Sequence, residues 1–461
     1  MRFETVSPID GSVVFEGELA DLNQAQVALA AGQRAWMDWR RRPLSERTER
    51  VQAFVETFLQ DREALAREIC LQMGRPLSQC GGELAGFQDR AQTMISLAER
   101  SLADVPASPK PGFLRFVRRE PMGVVLVLAA WNYPYLITVN SIVPALLAGN
   151  VVLLKHSDQT PLCAERLSAA AAKTLPPGVL QHLHLSHETV AQIIPDERVA
   201  FVAFTGSVEG GRAVHKAAGG HFKGVGLELG GKDPAYVRAD ADLDFTVPNL
   251  VDGAMFNSGQ SCCGIERIYV HQDHYREVVE RMEAEIKGYK LGNPLEDGTN
   301  LGPVVRTRSA VMIREHIAQA VRMGAKALID PKHFAADTPE GPYVAPQLVI
   351  DASAEMDIVA KETFGPVVAV MPVSGDQDAI AAMNNSRFGL TASVWTDDGD
   401  AAMRIGERLE TGTVFQNRCD YLDPELAWVG VKDSGRGCTL SSVGFEMLTR
   451  PKSFHLRTRG A

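Results

Sequence analysis

Val124-Val125-Leu126-Val127-Leu128 runs without interruption into Ala129-Ala130-Trp131-Asn132-Tyr133-Pro134. A short unbroken apolar run that ends in a polar turn and a proline suits a strand buried on both faces of a parallel sheet, with a helix after it. Val151-Val152-Leu153-Leu154 repeats the pattern and ends in Lys155-His156-Ser157-Asp158. Residues 199–204 form a third run, closed by Thr205-Gly206-Ser207. Helical segments separate the runs, which predicts a doubly wound α/β sheet with right-handed crossovers, a frequent nucleotide-binding architecture. In such sheets ligands collect outside the carboxyl ends of the strands, where Asn132 stands.

Upstream, residues 20–106 read mostly as helix: Val51, Phe54, Val55 and Phe58 recur at three and four positions, with Arg and Glu on the other face. Downstream, residues 232–430 read as a second α/β unit. Two stretches, 113–120 and 453–459, alternate apolar and basic residues, as strands with one covered face do. Edge strands of this kind invite pairing with another subunit.

Composition narrows the class. A chain of 461 residues suggests about three domain-sized units and buries cores large enough to need no disulfide or metal staple. A net charge of −10 argues against a nucleic-acid partner. The most apolar stretch, residues 142–154, is broken by Pro144, Gly149 and Asn150, so no membrane span is expected. Met1-Arg2-Phe3-Glu4-Thr5 lacks the pattern of a secretory signal. Seven Cys without regular spacing fit reduced thiols in a cytoplasmic protein.

Four short segments carry chemistry. In Gly259-Gln260-Ser261-Cys262-Cys263 a Cys after a turn can present its sulfur to a pocket, although most Cys are small buried hydrophobes. No His lies in this segment, which disfavours a Cys–His hydrolase. In Glu228-Leu229-Gly230-Gly231-Lys232 a carboxylate at a strand end can serve as a base for water, or can simply be salt-bridged. The Asn132 amide can donate to a developing oxyanion, or can cap the helix that Pro134 opens. Gly206-Ser207 offers N–H groups and a hydroxyl to a phosphate, and Lys155 with Asp158 can bracket ribose hydroxyls. His156, His182, His184 and His187 lack ligand partners at defined offsets, so no metal site is expected.

Taken in the order Asn, Lys, Gly-Ser, Glu, Cys, these segments resemble the aldehyde dehydrogenase superfamily. The resemblance spans nearly the whole chain and includes Glu362-Thr363-Phe364-Gly365-Pro366, Asn417 and Gly430-Val431-Lys432-Asp433-Ser434-Gly435. Cys262 stands 34 positions after Glu228, the family's interval between base and nucleophile. The resemblance implies an aldehyde dehydrogenase-like α/β fold. It would comprise a Rossmann-type nucleotide-binding domain (1–110 and 121–231), an α/β catalytic domain (232–430) and a β oligomerisation extension (111–120 and 444–461) that makes a homodimer or homotetramer. It further implies an NAD(P)-dependent oxidation of an aldehyde to an acid. Cys262 would be the nucleophile, Cys263 its dispensable neighbour, Asn132 the oxyanion donor with the Cys262 N–H, and Glu228 the base for deacylation. Lys155, Ser157 and Asp158 would meet the adenosine ribose, and Gly206 and Ser207 the pyrophosphate. Glu362 would hold the nicotinamide ribose near Phe364, with Trp131, Leu229 and Gly230 completing the cofactor contacts. Tyr133, Ile137, Asn140, Phe256, Ser261, Arg418 and Trp428 would line the substrate pocket.

The chain departs from the family at Asp158, usually Glu, and at Trp428-Val429, usually Phe-Gly. A carboxylate at Asp158 would repel a 2′-phosphate, so NAD is expected to be preferred modestly over NADP. Asn140 replaces what is often a bulky aromatic, which implies a roomier or more polar pocket. Arg418 is a candidate for an acidic group at the far end of the substrate, as in succinic semialdehyde; the competing expectation pairs it with Asp420 or Asp423. A CoA-acylating relative generally lacks the base, so Glu228 speaks against it. An inactive homologue is disfavoured by the complete Asn132, Glu228 and Cys262 set.

Overall fold

The computed structural model describes residues 1–457; positions 458–461 of the expected extension lie outside the described residues. Val124–Leu128 is buried at every position and occupies the interior of a six-stranded sheet. The order across this sheet is Gly435–Arg436, Gly224–Glu228, Val199–Thr205, Val124–Leu128, Val151–Lys155, Leu180–His182. Only Gly435–Arg436 is antiparallel. From Val124–Leu128 the chain first adds strands on one side and then crosses back to Val199–Thr205 on the other. That reversal opens a crevice at the carboxyl ends of these two strands, from which the Trp131-Asn132 and Gly206-Ser207 turns depart.

A second sheet has seven strands, ordered Lys326–Ala327, Gln347–Ile350, Val367–Val373, Ile265–His271, Asp233–Val237, Thr391–Trp395, Thr413–Gln416, parallel except for the first. Its central strands are buried on both faces and sandwiched between helices, the usual condition for parallel pairing.

Helices Leu22–Trp39, Leu44–Phe58, Arg62–Met73 and Leu77–Leu102 fill the N-terminal quarter. The first starts at a capping box in which Asp21 and Gln24 satisfy each other's backbone N–H at 2.8 and 2.9 Å. The periodic Val51, Phe54, Val55 and Phe58 are all buried. Phe58 meets Phe87 and Tyr135 at ring separations of 4.7 and 4.9 Å, which ties two N-terminal helices to the helix behind Asn132.

A third, small sheet pairs Thr449–Arg457 with Phe113–Pro121 along nine residue pairs, and Val105–Pro106 adds a short edge. Phe116 stacks on Phe454 at 4.6 Å, while Leu114 and Leu456, directly paired, stay exposed. The hairpin Arg2–Val6 with Val13–Glu18 has no counterpart in the sequence reading. All seven cysteines are free, and no described helix is long and apolar enough to cross a membrane.

Candidate active site

Helix Leu243–Met255 ends in a loop that turns through three successive left-handed residues, Asn257, Ser258 and Gly259, with φ of 54°, 55° and 68°. Such backbone costs energy and persists only where its surroundings over-determine it. Here they do. Asn257 is completely buried; its Oδ1 accepts from Arg75 Nε at 3.1 Å, and its Nδ2 donates to the Asn132 and Gln260 carbonyls at 3.3 and 3.1 Å. Gly259 presses against the Gly365 carbonyl so closely that any Cβ would overlap it. The turn thereby delivers Ser261, Cys262 and Cys263 to a cavity of about 590 Å³.

The two cysteines part company there. Both line the cavity, but Cys262 is half-buried, whereas Cys263 is buried and its thiol donates to Asp420 Oδ1 at 3.0 Å. The adjacent Cys262 thiol and burial hold the Cys263 thiol protonated well above its ordinary range. Ser261 Oγ donates to the same Asp420 oxygen at 2.6 Å.

Asn132 sits one turn from the end of Val124–Leu128, buried, with Nδ2 donating to Gln260 O at 3.3 Å. Its carbonyl accepts from the Arg75 guanidinium, which forms a buried ion pair with Glu83. The other Glu83 oxygen accepts from Tyr135 and Leu136 N–H at 2.7 and 3.2 Å and caps helix Pro134–Leu147. Sequence reasoning missed both residues. A signal existed for one of them: Glu83 interrupts the buried stripe Cys80, Leu84, Phe87 of helix Leu77–Leu102.

Glu228 ends strand Gly224–Glu228 and faces the same cavity. Thr205 Oγ1 donates to one oxygen at 2.9 Å and Thr439 Oγ1 to the other at 2.5 Å. Burial raises its pKa above the ordinary carboxylate value, against the pull of these hydroxyls and of Arg90.

Behind Glu228, the glycine pair threads between two groups. A Cβ at Gly230 would overlap the Glu362 carboxylate, and one at Gly231 would overlap the Cys262 carbonyl. Gly231 N–H donates to Glu362 Oε1 at 3.0 Å. Burial and the Glu266 charge push the Glu362 pKa up to about 8. Glu266 itself accepts from Thr363 and Phe364 N–H at 2.9 and 3.0 Å and pairs with Lys232, fixing the 362–366 segment. Trp131 meets Phe364 edge-on at 5.6 Å. Ser207 caps helix Val208–Gly219, whose first turn shares a cavity of about 390 Å³ with Glu362, Phe364 and Arg387. Gly206 N–H donates to Glu228 O at 3.0 Å, linking the Gly206-Ser207 turn to the end of the Glu228 strand. Leu229 is different: its side chain packs under Gly211, away from both cavities.

Lys155 is half-buried at the end of its strand, and Ser157 Oγ donates to Asp158 Oδ1 at 3.3 Å. Arg306, 148 residues away and unremarked in the sequence, donates to the same oxygen at 2.9 Å.

Tyr133, Ile137, Asn140, Phe256, Ser261, Arg418 and Trp428 all line the cavity that holds Cys262. Two of them need comment. Asn140 lines the cavity beside Arg90, which donates to Asn140 Oδ1 at 3.1 Å, in keeping with the more polar pocket expected there. Arg418 does not pair with Asp420 or Asp423, which accept from Ser261 with Cys263 and from Glu425 N–H. Its guanidinium lies 3.5 Å above the Tyr421 ring centroid, at the exposed edge of the cavity.

Among the histidines, His156 is a core residue: Nε2 lies 3.1 Å from Pro134 O, and burial lowers its pKa to about 4. His182 and His184 do gain a carboxylate neighbour, Glu165, at 3.3 Å from His184. His184 also packs between Phe3 and Phe15 of the N-terminal hairpin.

The residues of the cavity fall in the order and spacing of one known family, whose model, the aldehyde dehydrogenase family, matches residues 1–454. The chain belongs to the aldehyde dehydrogenase family. Among curated relatives, a succinate-semialdehyde dehydrogenase [NADP(+)] of Mycobacterium tuberculosis is 33% identical, with 96% of this chain and 97% of the relative aligned. One from Deinococcus radiodurans is also 33% identical, over 98% of this chain and 94% of the relative. Among solved structures, an NADP-dependent enzyme of E. coli superposes with a TM-score of 0.95 at 27% identity, covering 99% of this chain and 95% of that one. Betaine aldehyde dehydrogenase from Staphylococcus aureus, in complex with NAD+, gives 0.94 at 28% identity, covering 100% and 92%. This aldehyde dehydrogenase is an NAD(P)-dependent oxidoreductase that converts an aldehyde to a carboxylic acid.

Proposed function

We propose that the dehydrogenase oxidises a short aldehyde carrying a carboxylate at its far end, such as succinic semialdehyde, through a thioester on Cys262. One observation carries the substrate class: the Arg418 guanidinium at the cavity edge is stacked on Tyr421 and free of the neighbouring carboxylates. A guanidinium so presented can grip a carboxylate bidentately. The curated relatives named for succinic semialdehyde support the same class.

In this reading the Cys262 thiolate attacks the carbonyl carbon. The Asn132 amide and the Cys262 N–H donate to the oxygen, which becomes anionic in the tetrahedral thiohemiacetal. NAD(P)+, held by the residues named below, would supply the hydride acceptor for the adduct on Cys262. Glu228 then takes a proton from water as its oxygen attacks the thioester carbon, and the thiolate of Cys262 leaves. Lys155, Ser157 and Asp158 would hold the adenosine ribose, Gly206 and Ser207 the pyrophosphate, and Glu362 the nicotinamide ribose, with Trp131, Phe364 and the backbone of Leu229-Gly230 around it. The 1–110 and 121–231 segments would form the nucleotide-binding domain and 232–430 the catalytic domain. Pairing across the exposed edge of the small sheet would join a cytoplasmic homodimer or homotetramer.

Asn132→Ala should slow acylation by about 10² to 10³, the usual worth of one oxyanion donor. Rapid mixing reads that step directly, and an unchanged rate removes Asn132 from the oxyanion hole. For the substrate, Arg418→Leu should lower kcat/KM for succinic semialdehyde by at least about ten-fold and leave an uncharged aldehyde of similar length nearly untouched. A proportional loss for both, or none for either, defeats the acidic-substrate reading in favour of an apolar aldehyde held by Tyr133, Phe256 and Trp428.

A further inference from the structure

We propose that Arg306 forms, with Lys155, a seat for a 2′-phosphate on the adenosine ribose, so that the dehydrogenase takes NADP+ at least as readily as NAD+. This rests on the reading that Lys155 and Asp158 flank that ribose.

Considered alone, Asp158 repels a 2′-phosphate, and the sequence expectation of an NAD preference follows from it. The structure adds a cation that this reasoning lacks. Arg306 immediately precedes helix Thr307–Arg322, on the part of the chain that builds the seven-stranded sheet, and it crosses to the carboxyl end of strand Val151–Lys155. Nη2 donates to Asp158 Oδ1 at 2.9 Å and Nε to Gln159 Oε1 at 3.1 Å, while Nη1 has no partner among the described residues.

The guanidinium is held from behind. Gln159 is buried, and its own Nε2 donates to the Gln72 carbonyl at 2.7 Å, so its oxygen is fixed toward Arg306. With Nε anchored on Gln159 and Nη2 held only by Asp158, displacing that carboxylate leaves both terminal nitrogens to two phosphate oxygens.

Asp158 is the replaceable partner. Its side chain is 65% exposed against 27% for Arg306, so it can rotate into water when a phosphate takes its place. Lys155 and Arg306 bring two positive charges against one negative, which leaves the site net cationic. A dianionic 2′-phosphate meets attraction there, whereas Asp158 keeps an acceptor available for the 2′-hydroxyl of NAD+.

Isothermal titration with adenosine 2′,5′-bisphosphate and with 5′-AMP, which differ only in the 2′-phosphate, isolates this contact from turnover. Wild type should bind the bisphosphate at least as tightly as AMP. Arg306→Leu should weaken the bisphosphate about ten-fold or more, with AMP within about two-fold. Asp158→Asn should tighten the bisphosphate relative to AMP. Equal shifts for both ligands in Arg306→Leu, or a wild type that binds AMP far more tightly, overturn the proposal. Lys155→Ala separates the two ideas. Loss of both ligands with no selective effect at Arg306 sinks the phosphate seat and leaves the ribose reading standing. Retention of both ligands in Lys155→Ala places the ribose elsewhere and ends both.

Discussion

Cys262→Ala should abolish NAD(P)+ reduction, with a loss on the order of 10⁶ as for other covalent nucleophiles, while Cys263→Ala should keep most of it. The two thiols are adjacent in sequence but not in circumstance. Cys262 opens onto the cavity beside Glu228 and Asn132. Cys263 is buried against Asp420, its thiol committed as a donor at 3.0 Å and held protonated. Removing that sulfur leaves Asp420 with its Ser261 hydrogen bond at 2.6 Å, so the loop keeps its anchor. Steady-state reduction by absorbance, together with a thermal melt of each variant, decides the matter. Equal loss in both folded variants would mean that the sulfur facing the cavity is not the one that reacts.

Glu228→Gln should act later in the cycle, giving one rapid turnover of cofactor followed by a steady state slower by about 10² to 10⁴. Glutamine keeps the shape and leaves one of the Thr205 and Thr439 hydroxyls its acceptor while the other can turn to accept from the amide NH2, but it cannot take a proton from water. The thioester on Cys262 should then accumulate and be visible by mass spectrometry of the quenched enzyme. A normal steady state with unchanged turnover removes the base role. The wild-type pH profile carries a matching signature. Burial raises the Glu228 pKa, so the protonated, inactive form persists to higher pH than for a free glutamate near 4.3. Deacylation should therefore fall as pH drops through a value above that reference, and Glu228→Gln should erase this limb.

What could be read from the sequence was local. Val124–Leu128 and the neighbouring runs announce buried parallel strands because each position is apolar, and Val51 to Phe58 announce a helix by period. The spacing from Glu228 to Cys262, set beside that of the family, nominates two candidate reacting groups. What supports those groups was hidden, because it is assembled over long separations. Thr439 reaches Glu228 across 211 residues, and Arg306 reaches Asp158 across 148. Neither leaves a periodic trace. The Arg90 contact with Asn140 is of the same kind: a charged residue on a helix reads as surface until its partner is placed. The Gly435–Arg436 strand, two residues long, closes the first sheet from the far end of the chain and carries no propensity signal at all.

Cys262 arrives on the stretch of chain that leads into strand Ile265–His271, whereas Asn132 and Glu228 stand on the six-stranded sheet. In the proposed mechanism the reacting centre thus exists only as a seam. Neither half carries a weaker version of the chemistry. A slip of an ångström between the two sheets would silence the enzyme while each core, and the spectrum that reports on it, stayed intact.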